Sequence, residues 1–369
     1  MQLVSAPFTR LASSVIPAGR KLDGLHGMRA IAASMIVIFH VTYLSKVPIP
    51  DAFKTVKTHF GLGVHIFFVL SAFSLAYSDR LTAATTREYL IKRFFRIAPL
   101  FYAMLVYYQV TEGIRPLGEN LANLLFIFNF IPGLHQSFVL AGWTIGVEMV
   151  FYALLPIILA TCRSLTSFAI FAVLALAASY VGRLELEQSV AIGGYPNLAF
   201  ISNLWFFAIG LLAFAISEDE RVRRLWWSGL VFGAIGILMI ALLLTPMAGV
   251  LVLPGRPDTL LFGLAFACIT VWQALKPSWL LRLGLMQFVG ERSYSVYLLH
   301  PAVVVLLRKS GFYAWLGDSL GDWAIWAAIT TTLAIVYLLS EVSYRLVEVP
   351  GIELGRRIKT STLKRSARG

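Results

Sequence analysis

The chain has 369 residues, 58% of them hydrophobic and only 14% charged, with a mean hydropathy of +0.77 and a net charge of +12. A water-soluble domain cannot hide that much apolar surface, and runs of bilayer length recur along the whole chain, so composition excludes the soluble classes and predicts an all-α polytopic membrane protein. The positive charge is no nucleic-acid footprint, because the basic residues sit between the apolar runs and in the tail, where they set topology and meet anionic lipid headgroups.

Residues 1–21 hold no apolar core ending in a small-residue cleavage site, so the first apolar run reads as an uncleaved signal anchor behind a cytoplasmic N-terminal segment. Spans are expected near 29–45, 60–78, 97–111, 143–162, 166–182, 198–217, 226–246, 258–275, 288–307 and 323–344. A further stretch, Leu121 to Ile131, is short and ends at Pro132-Gly133, which fits a re-entrant or interfacial segment better than a span. With ten spans and the N-terminus inside, the outer loops keep Lys46, Lys54, Lys57, Arg115, Arg183, Arg256, Arg308 and Lys309, and the other 23 of the 31 basic residues face the cytoplasm. Making 121–131 a span would put the basic tail and the Arg221-Arg223-Arg224 loop outside. The expectation is a bundle of about ten transmembrane helices with both termini cytoplasmic, a membrane domain over 22–357 and a basic tail over 358–369. Cys162 and Cys268 lie far apart at or within apolar runs, so neither a disulfide framework nor a metal site is expected. No internal repeat or low-complexity segment interrupts the pattern.

The first span carries Arg29 and His40, eleven residues apart. Eleven residues are almost three helical turns, so the two share a face, roughly 16 Å apart along the axis. That places His40 near the middle of a hydrocarbon core about 30 Å thick, where an ionisable group is expensive and points to function. Histidine exchanges protons near neutrality, and arginine grips phosphate or carboxylate with a planar fork. Taken singly, Arg29 also fits a topological anchor and His40 an interhelical hydrogen bond.

The second span holds His65 and Ser71 in an otherwise apolar run, Gly61 to Phe73. Just ahead of the third span stand Lys92, Arg93 and Arg96, which can hold the phosphates of a nucleotide-bearing donor or anchor to lipid headgroups. The fourth opens on Trp143, suited to the outer interface, and buries Glu148 more than a turn inside, where a carboxylate needs a partner; His40 and Arg29 are the natural candidates. In the ninth, Ser293, Tyr297 and His300 fall at i, i+4 and i+7 and share one face, a polar stripe turned into the bundle. The tenth ends at Glu341, Arg345 and Glu348 before Pro350, which reads as a structural terminus.

These blocks, in this order, resemble the acyltransferase-3 family of membrane O-acyltransferases, which modify bacterial surface and secreted glycans, Nod factors and some antibiotics. Leu25-His26-Gly27-Met28-Arg29-Ala30-Ile31-Ala32 followed by His40 is similar to the family's opening motif. Gly63-Val64-His65-Ile66-Phe67-Phe68-Val69-Leu70-Ser71-Ala72-Phe73 resembles its Gly-Val-Asp-Leu-Phe-Phe-Val-Leu-Ser-Gly-Phe block. Arg96-Ile97-Ala98-Pro99, Trp143 to Tyr152 and Ser293 to His300 look like its remaining signatures. The chain departs from the family at His26 and His65, where aspartate is usual, and at Ala72, where glycine is usual; Asp23 lies one turn before His26.

The resemblance covers about residues 22–357 and implies transfer of an acyl group, most often acetyl from acetyl-CoA as co-substrate, to a carbohydrate or glycolipid hydroxyl. It implies no tightly bound cofactor and a bacterial cytoplasmic (inner) membrane location. Arg29, Arg93 and Arg96 then suit the anionic CoA thioester. His40 acts as general base or transient acyl carrier, with Glu148 orienting it, and His65, Ser71, Ser293, Tyr297 and His300 face the acceptor. The competing reading is a transporter or flippase for a glycan or lipid-linked sugar, since buried ionisable groups mark those too. A catalytically inactive membrane scaffold is a third.

Overall fold

The computed structural model describes residues 22–82, 85–190, 192–245 and 257–366, so the N-terminal segment 1–21 lies outside the described residues. Among these residues there is no strand. The principal helices are α1 (Asp23–Leu44), α2 (Gly63–Thr82), α3 (Thr86–Glu112), α4 (Leu117–Leu124), α5 (Trp143–Thr161), α6 (Leu165–Ser189), α7 (Phe200–Glu218) and α8 (Ser228–Leu243). They continue with α9 (Pro257–Leu275), α10 (Gly284–Glu291), α11 (Ser293–Lys309), α12 (Phe312–Leu320) and α13 (Ala324–Ser343). A π-helical turn, Tyr344–Glu348, then leads into α14 (Val349–Ser366).

Each expected span overlaps a helix, with 288–307 crossing a break at Arg292, but six segments among the described residues are long and apolar enough to cross a bilayer: Asp23–Leu44, Lys54–Ser78, Trp143–Thr161, Leu165–Ser189, Tyr195–Glu218 and Phe312–Ile358. Ser228–Leu243 and Thr259–Leu275 are apolar but shorter. α3 is long, yet its first half carries Arg87, Lys92, Arg93 and Arg96, so only its second half is apolar. α11 has 17 residues and ends in Arg308 and Lys309.

The segment 121–131 forms no membrane-length helix. α4 stops at Leu124, Phe126 turns the backbone to φ +57°, and a short 3-10 turn follows at Phe128–Phe130. A bulky residue in the left-handed region breaks a helix outright.

Local chemistry sets the helix starts. Thr85 caps α3 through a reciprocal pair with Glu88, and Ser164 caps α6 with Ser167, each satisfying backbone donors that a helix start leaves open. α1 is the hub, because both its sides are buried. Leu25, Met28, Ala32 and Ile36 belong to one apolar core with α2, α3, α5 and α7, while Ala30, Ala33, Val37 and Val41 belong to a second with α11, α12 and α13. A helix buried on two sides carries apolar residues on both, which weakens its amphipathic pattern. Gly63 lets α2 lie directly on α1, since a Cβ there would sit 2.7 Å from the Ala32 carbonyl oxygen.

The peripheral helices turn large apolar side chains outward, among them Val173 and Leu174 on α6, Leu238 on α8 and Leu338 on α13. Such exposure suits lipid, not water. At one end of the bundle, Lys309 closes α11 onto Glu112 of α3 at 2.9 Å. That hydrogen bond and the lysine charge hold the exposed Glu112 carboxyl below its usual range.

Candidate active site

Five helices converge on a cavity of about 100 Å³. α1 contributes Arg29; α2 contributes Phe67, Phe68 and Ser71; α3 contributes Arg93 and Arg96. α5 brings Thr144, Glu148 and Tyr152, and α11 brings Ser293, Tyr294 and Tyr297. Seven residues expected from sequence to carry chemistry, Arg29, Ser71, Arg93, Arg96, Glu148, Ser293 and Tyr297, therefore meet in one place although they come from five segments spread over the chain. Lys92, one residue from Arg93, is not among the residues that line it.

The interior is ordered by short hydrogen bonds. Ser71 Oγ donates to Glu148 Oε1 at 2.8 Å, and Tyr152 OH donates to Glu148 Oε2 at 3.0 Å. Both carboxylate oxygens are thus held. Tyr294 OH donates to the Ile97 carbonyl at 2.7 Å, tying α11 to α3. Tyr297 OH donates to the Ala141 carbonyl at 3.0 Å and accepts from Thr144 Oγ1 at 2.9 Å. Ala141 itself sits at φ +63°, and Ser137 at φ +65°, so the connection entering α5 is held in a backbone conformation that L-residues avoid. Such strain persists where the surroundings over-determine it, and the Tyr297 bond is part of what does so here.

Charge balance is uneven. Three guanidinium groups line the cavity with Glu148 the one lining carboxylate; Arg96 is also paired with Glu348 behind it, which leaves three cations against two carboxylates, and Arg93 Nε has no hydrogen-bond partner. Buried cations in excess of anions favour an anionic guest, and guanidinium forks grip phosphate or carboxylate oxygens bidentately. The enclosed space holds several waters or a small acyl group, so a sugar or a coenzyme enters it only in part. A larger substrate has to reach it end-on.

His40 lies off this cavity and meets His300. Their rings are 4.7 Å apart between centroids, and His300 Nε2 stands 3.1 Å from His40 Nδ1. Two backbone carbonyls settle the proton positions. His300 Nδ1 is 2.5 Å from the Tyr297 carbonyl, which accepts only, so that nitrogen carries hydrogen and His300 Nε2 is the bare lone pair. His40 Nδ1 is 2.9 Å from the Ile36 carbonyl and donates there and toward His300. His40 Nε2 is then left with its lone pair and no partner among the described residues. A histidine presented in one tautomer, with its basic nitrogen free, is equipped to take a proton.

Of the two partners expected for Glu148, Arg29 shares the cavity with it, whereas His40 does not: Glu148 is hydrogen-bonded to Ser71 and Tyr152 and His40 to His300, so no contact lets Glu148 orient His40. The heptad-like face of α11 also divides: Ser293 and Tyr297 line the cavity, whereas His300 stands beside it, joined through the Tyr297 carbonyl. His65 lies outside the cavity altogether. Its ring packs 4.2 Å from that of Phe206 on α7, and its Nδ1 is buried without a hydrogen bond. It is not among the cavity-lining residues, although its ring lies 6.2 Å from that of Phe68, which is. Tyr152, Tyr294 and Thr144 were not singled out in the sequence, although Tyr152, four residues after Glu148 on a helix, shares its face.

The acyltransferase-3 family model, described as an acyltransferase domain, matches residues 22–341. The chain belongs to this family. A membrane-bound transacylase, BcsY, of Komagataeibacter xylinus is 24% identical over 387 residues, covering 97% of this chain and 90% of the relative. An exopolysaccharide production protein, ExoZ, of Rhizobium meliloti (strain 1021) is 27% identical over 316 residues, covering 81% of this chain and 92% of the relative. No solved structure matches. This member of the family is an integral membrane acyltransferase, and family membership decides for an enzyme over the transporter reading.

Proposed function

We propose that the protein transfers an acetyl group from acetyl-CoA to a hydroxyl of a carbohydrate acceptor, a cell-surface or exported glycan or its glycolipid precursor, in the bacterial cytoplasmic membrane. The observation that carries the donor half is the convergence of Arg29, Arg93 and Arg96 on one cavity with a single lining carboxylate. These forks receive anionic groups of the coenzyme, and the thioester extends past Tyr297 toward His40. Glu148, held by Ser71 and Tyr152, acts as counter-ion to Arg29 and Arg93, while Arg96 has Glu348. The acceptor half draws on the relatives, one of which is named for exopolysaccharide production.

His40 supplies the base. The acceptor hydroxyl gives its proton to His40 Nε2 as its oxygen attacks the thioester carbonyl carbon. The tetrahedral intermediate collapses with loss of the C–S bond, and the coenzyme thiolate takes the proton back from His40. An O-acyl ester and free CoA leave, and proton and charge balance. His300 holds His40 Nδ1–H throughout and so stabilises the imidazolium, the part a carboxylate plays in a serine-hydrolase triad. Topology follows the charge asymmetry of the sequence: about ten membrane-crossing helices, both termini cytoplasmic, and Arg29, Arg93 and Arg96 toward the cytoplasmic side, where CoA is found.

Steady-state rates against acetyl-CoA concentration test this reading. Arg29→Ala and Arg93→Ala should each raise the apparent KM for acetyl-CoA by at least about tenfold, the loss of one charge-assisted hydrogen bond. Lysine should restore only part, since it lacks the fork. An unchanged donor KM in both alanine variants rejects the assignment.

A further inference from the structure

The C-terminal end of the last apolar helix contains a carboxylate that no part of the reaction above uses. Glu348 is fully buried, at 0% exposure. It lies beyond residue 341, where the family match ends. Its Oε2 forms an ion pair with Arg96 Nη1 at 3.4 Å, and its Oε1 accepts a short hydrogen bond from Ser295 Oγ. Ser295 in turn meets Ser343 Oγ at 3.2 Å. Oε2 accepts no hydrogen bond, so the Arg96 guanidinium is the charge that compensates it inside the protein.

The backbone is built to deliver it. Residues 344–348 form a π-helical turn, a single wide turn that shifts the register of everything after it and that recurs at functional positions. The start of the turn is pinned: the Arg292 guanidinium stacks 4.9 Å over the Tyr344 ring and 3.9 Å over Phe288, and Glu341 binds both Arg292 and Arg345. Its end is pinned as well. α14 lies against α3 so closely that a Cβ at Gly351 would stand 2.6 Å from Pro99 Cγ, and one at Gly355 2.7 Å from Phe95 Cβ. Phe95 and Pro99 flank Arg96 on the same stretch of α3. Arg96 is therefore gripped from behind by Glu348 and braced by α14, while it lines the cavity in front with Tyr294, the neighbour of Ser295.

We propose that Glu348 is a positioning residue: it fixes the Arg96 guanidinium so that its fork addresses the donor's anionic groups, and the π turn with α14 is the brace that holds it there. This rests on the donor assignment of Arg96 given above. An arginine on a free side chain sweeps many rotamers; one held by a buried carboxylate meets its ligand without that loss of freedom.

A double-mutant cycle on the full-length purified protein tests it, with kcat and KM measured separately for acetyl-CoA and for the acceptor polysaccharide. Glu348→Gln keeps the shape and the Ser295 hydrogen bond but removes the charge. It should raise the acetyl-CoA KM about tenfold and leave kcat within about twofold, and it should add nothing in an Arg96→Ala background, since residues acting through one another are non-additive. Additive losses, a wild-type Glu348→Gln, or an Arg96→Ala enzyme indistinguishable from wild type each overturn the proposal. A non-additive loss confined to the acceptor KM upholds the positioning role and rejects the donor assignment instead. If Glu348→Gln fails to fold, Ser295→Ala, which frees the same carboxylate, should show a weaker form of the same split; unchanged kinetics in that variant, with and without Arg96, overturn the proposal.

Discussion

At the scale of single residues, the arrangement of His40 and His300 makes a claim that is stricter than the presence of a histidine. His300 has its Nδ1 proton committed to the Tyr297 carbonyl, so it can only accept from His40. A side chain at 300 that accepts should therefore preserve function better than one that cannot. His300→Gln, whose amide oxygen can receive the His40 Nδ1 proton, should keep appreciably more turnover than His300→Ala, which should lose roughly 10²-fold, the lower end of what general-base catalysis contributes. Comparing kcat for the two variants at saturating acetyl-CoA decides it, and equal losses would remove the tautomer argument. Seven of the cavity residues were legible in the sequence because charged and polar side chains in apolar runs are few, whereas Thr144, Tyr152 and Tyr294 carried no such signal on their own. The pairings were not legible. Helical phase says which residues share a face, as with Arg29 and His40, but nothing in a single sequence says which helix that face will meet. His40 and His300 are separated by 260 residues, and only the tertiary packing of α1 against α11 brings them together. His65 illustrates the same limit from the other side: a polar residue in an apolar helix on the same element as Ser71 proved to face the rings of α7.

At the scale of elements, apolar length and turn chemistry located the helices well, and the departures have local causes. α3 begins eleven residues before its expected span because Thr85 and Glu88 cap it there, upstream of its apolar half. The last span runs on past Ser343 because no glycine or proline intervenes before Pro350, and a proline in the first turn of a following helix is tolerated. The connection 125–142 is the least regular part near the cavity, with Phe126, Ser137 and Ala141 all at positive φ. Asn129 fastens it to the start of α7, donating to the Leu198 carbonyl at 2.9 Å and accepting from the Phe200 amide at 2.9 Å. The topology proposed from charge makes this connection external and the C-terminus internal. Reporter fusions inserted within 133–140 and after residue 369 should report opposite sides, periplasmic and cytoplasmic respectively. Matching sides, or the reverse assignment, contradict the proposed topology.

At the scale of the whole molecule, two apolar cores meet along α1, and the chemistry lies at that seam: the arginine cavity is walled by the first core, and the histidine pair by helices that belong to the second. The proposed division between donor-binding arginines and a histidine base maps onto this layout, with Tyr297 common to both through its ring and its carbonyl. Composition and the length of the apolar runs pointed to a helical membrane protein and the ordered motifs to the reaction class, which the helices and the family match bear out; what holds each polar group in place emerges only from packing. The central claim is that acyl transfer from acetyl-CoA to a glycan depends on His40. The direct measurement is the O-acetyl content of the exported polysaccharide, by mass spectrometry, from cells carrying no copy of the protein, the wild type, or His40→Ala produced at equal membrane levels. Acetyl esters should appear with the wild type, and in the variant fall by at least about 10²-fold, the usual consequence of losing a general base. Polysaccharide acetylated to wild-type levels by His40→Ala, or acetylated equally without the protein, would contradict the account.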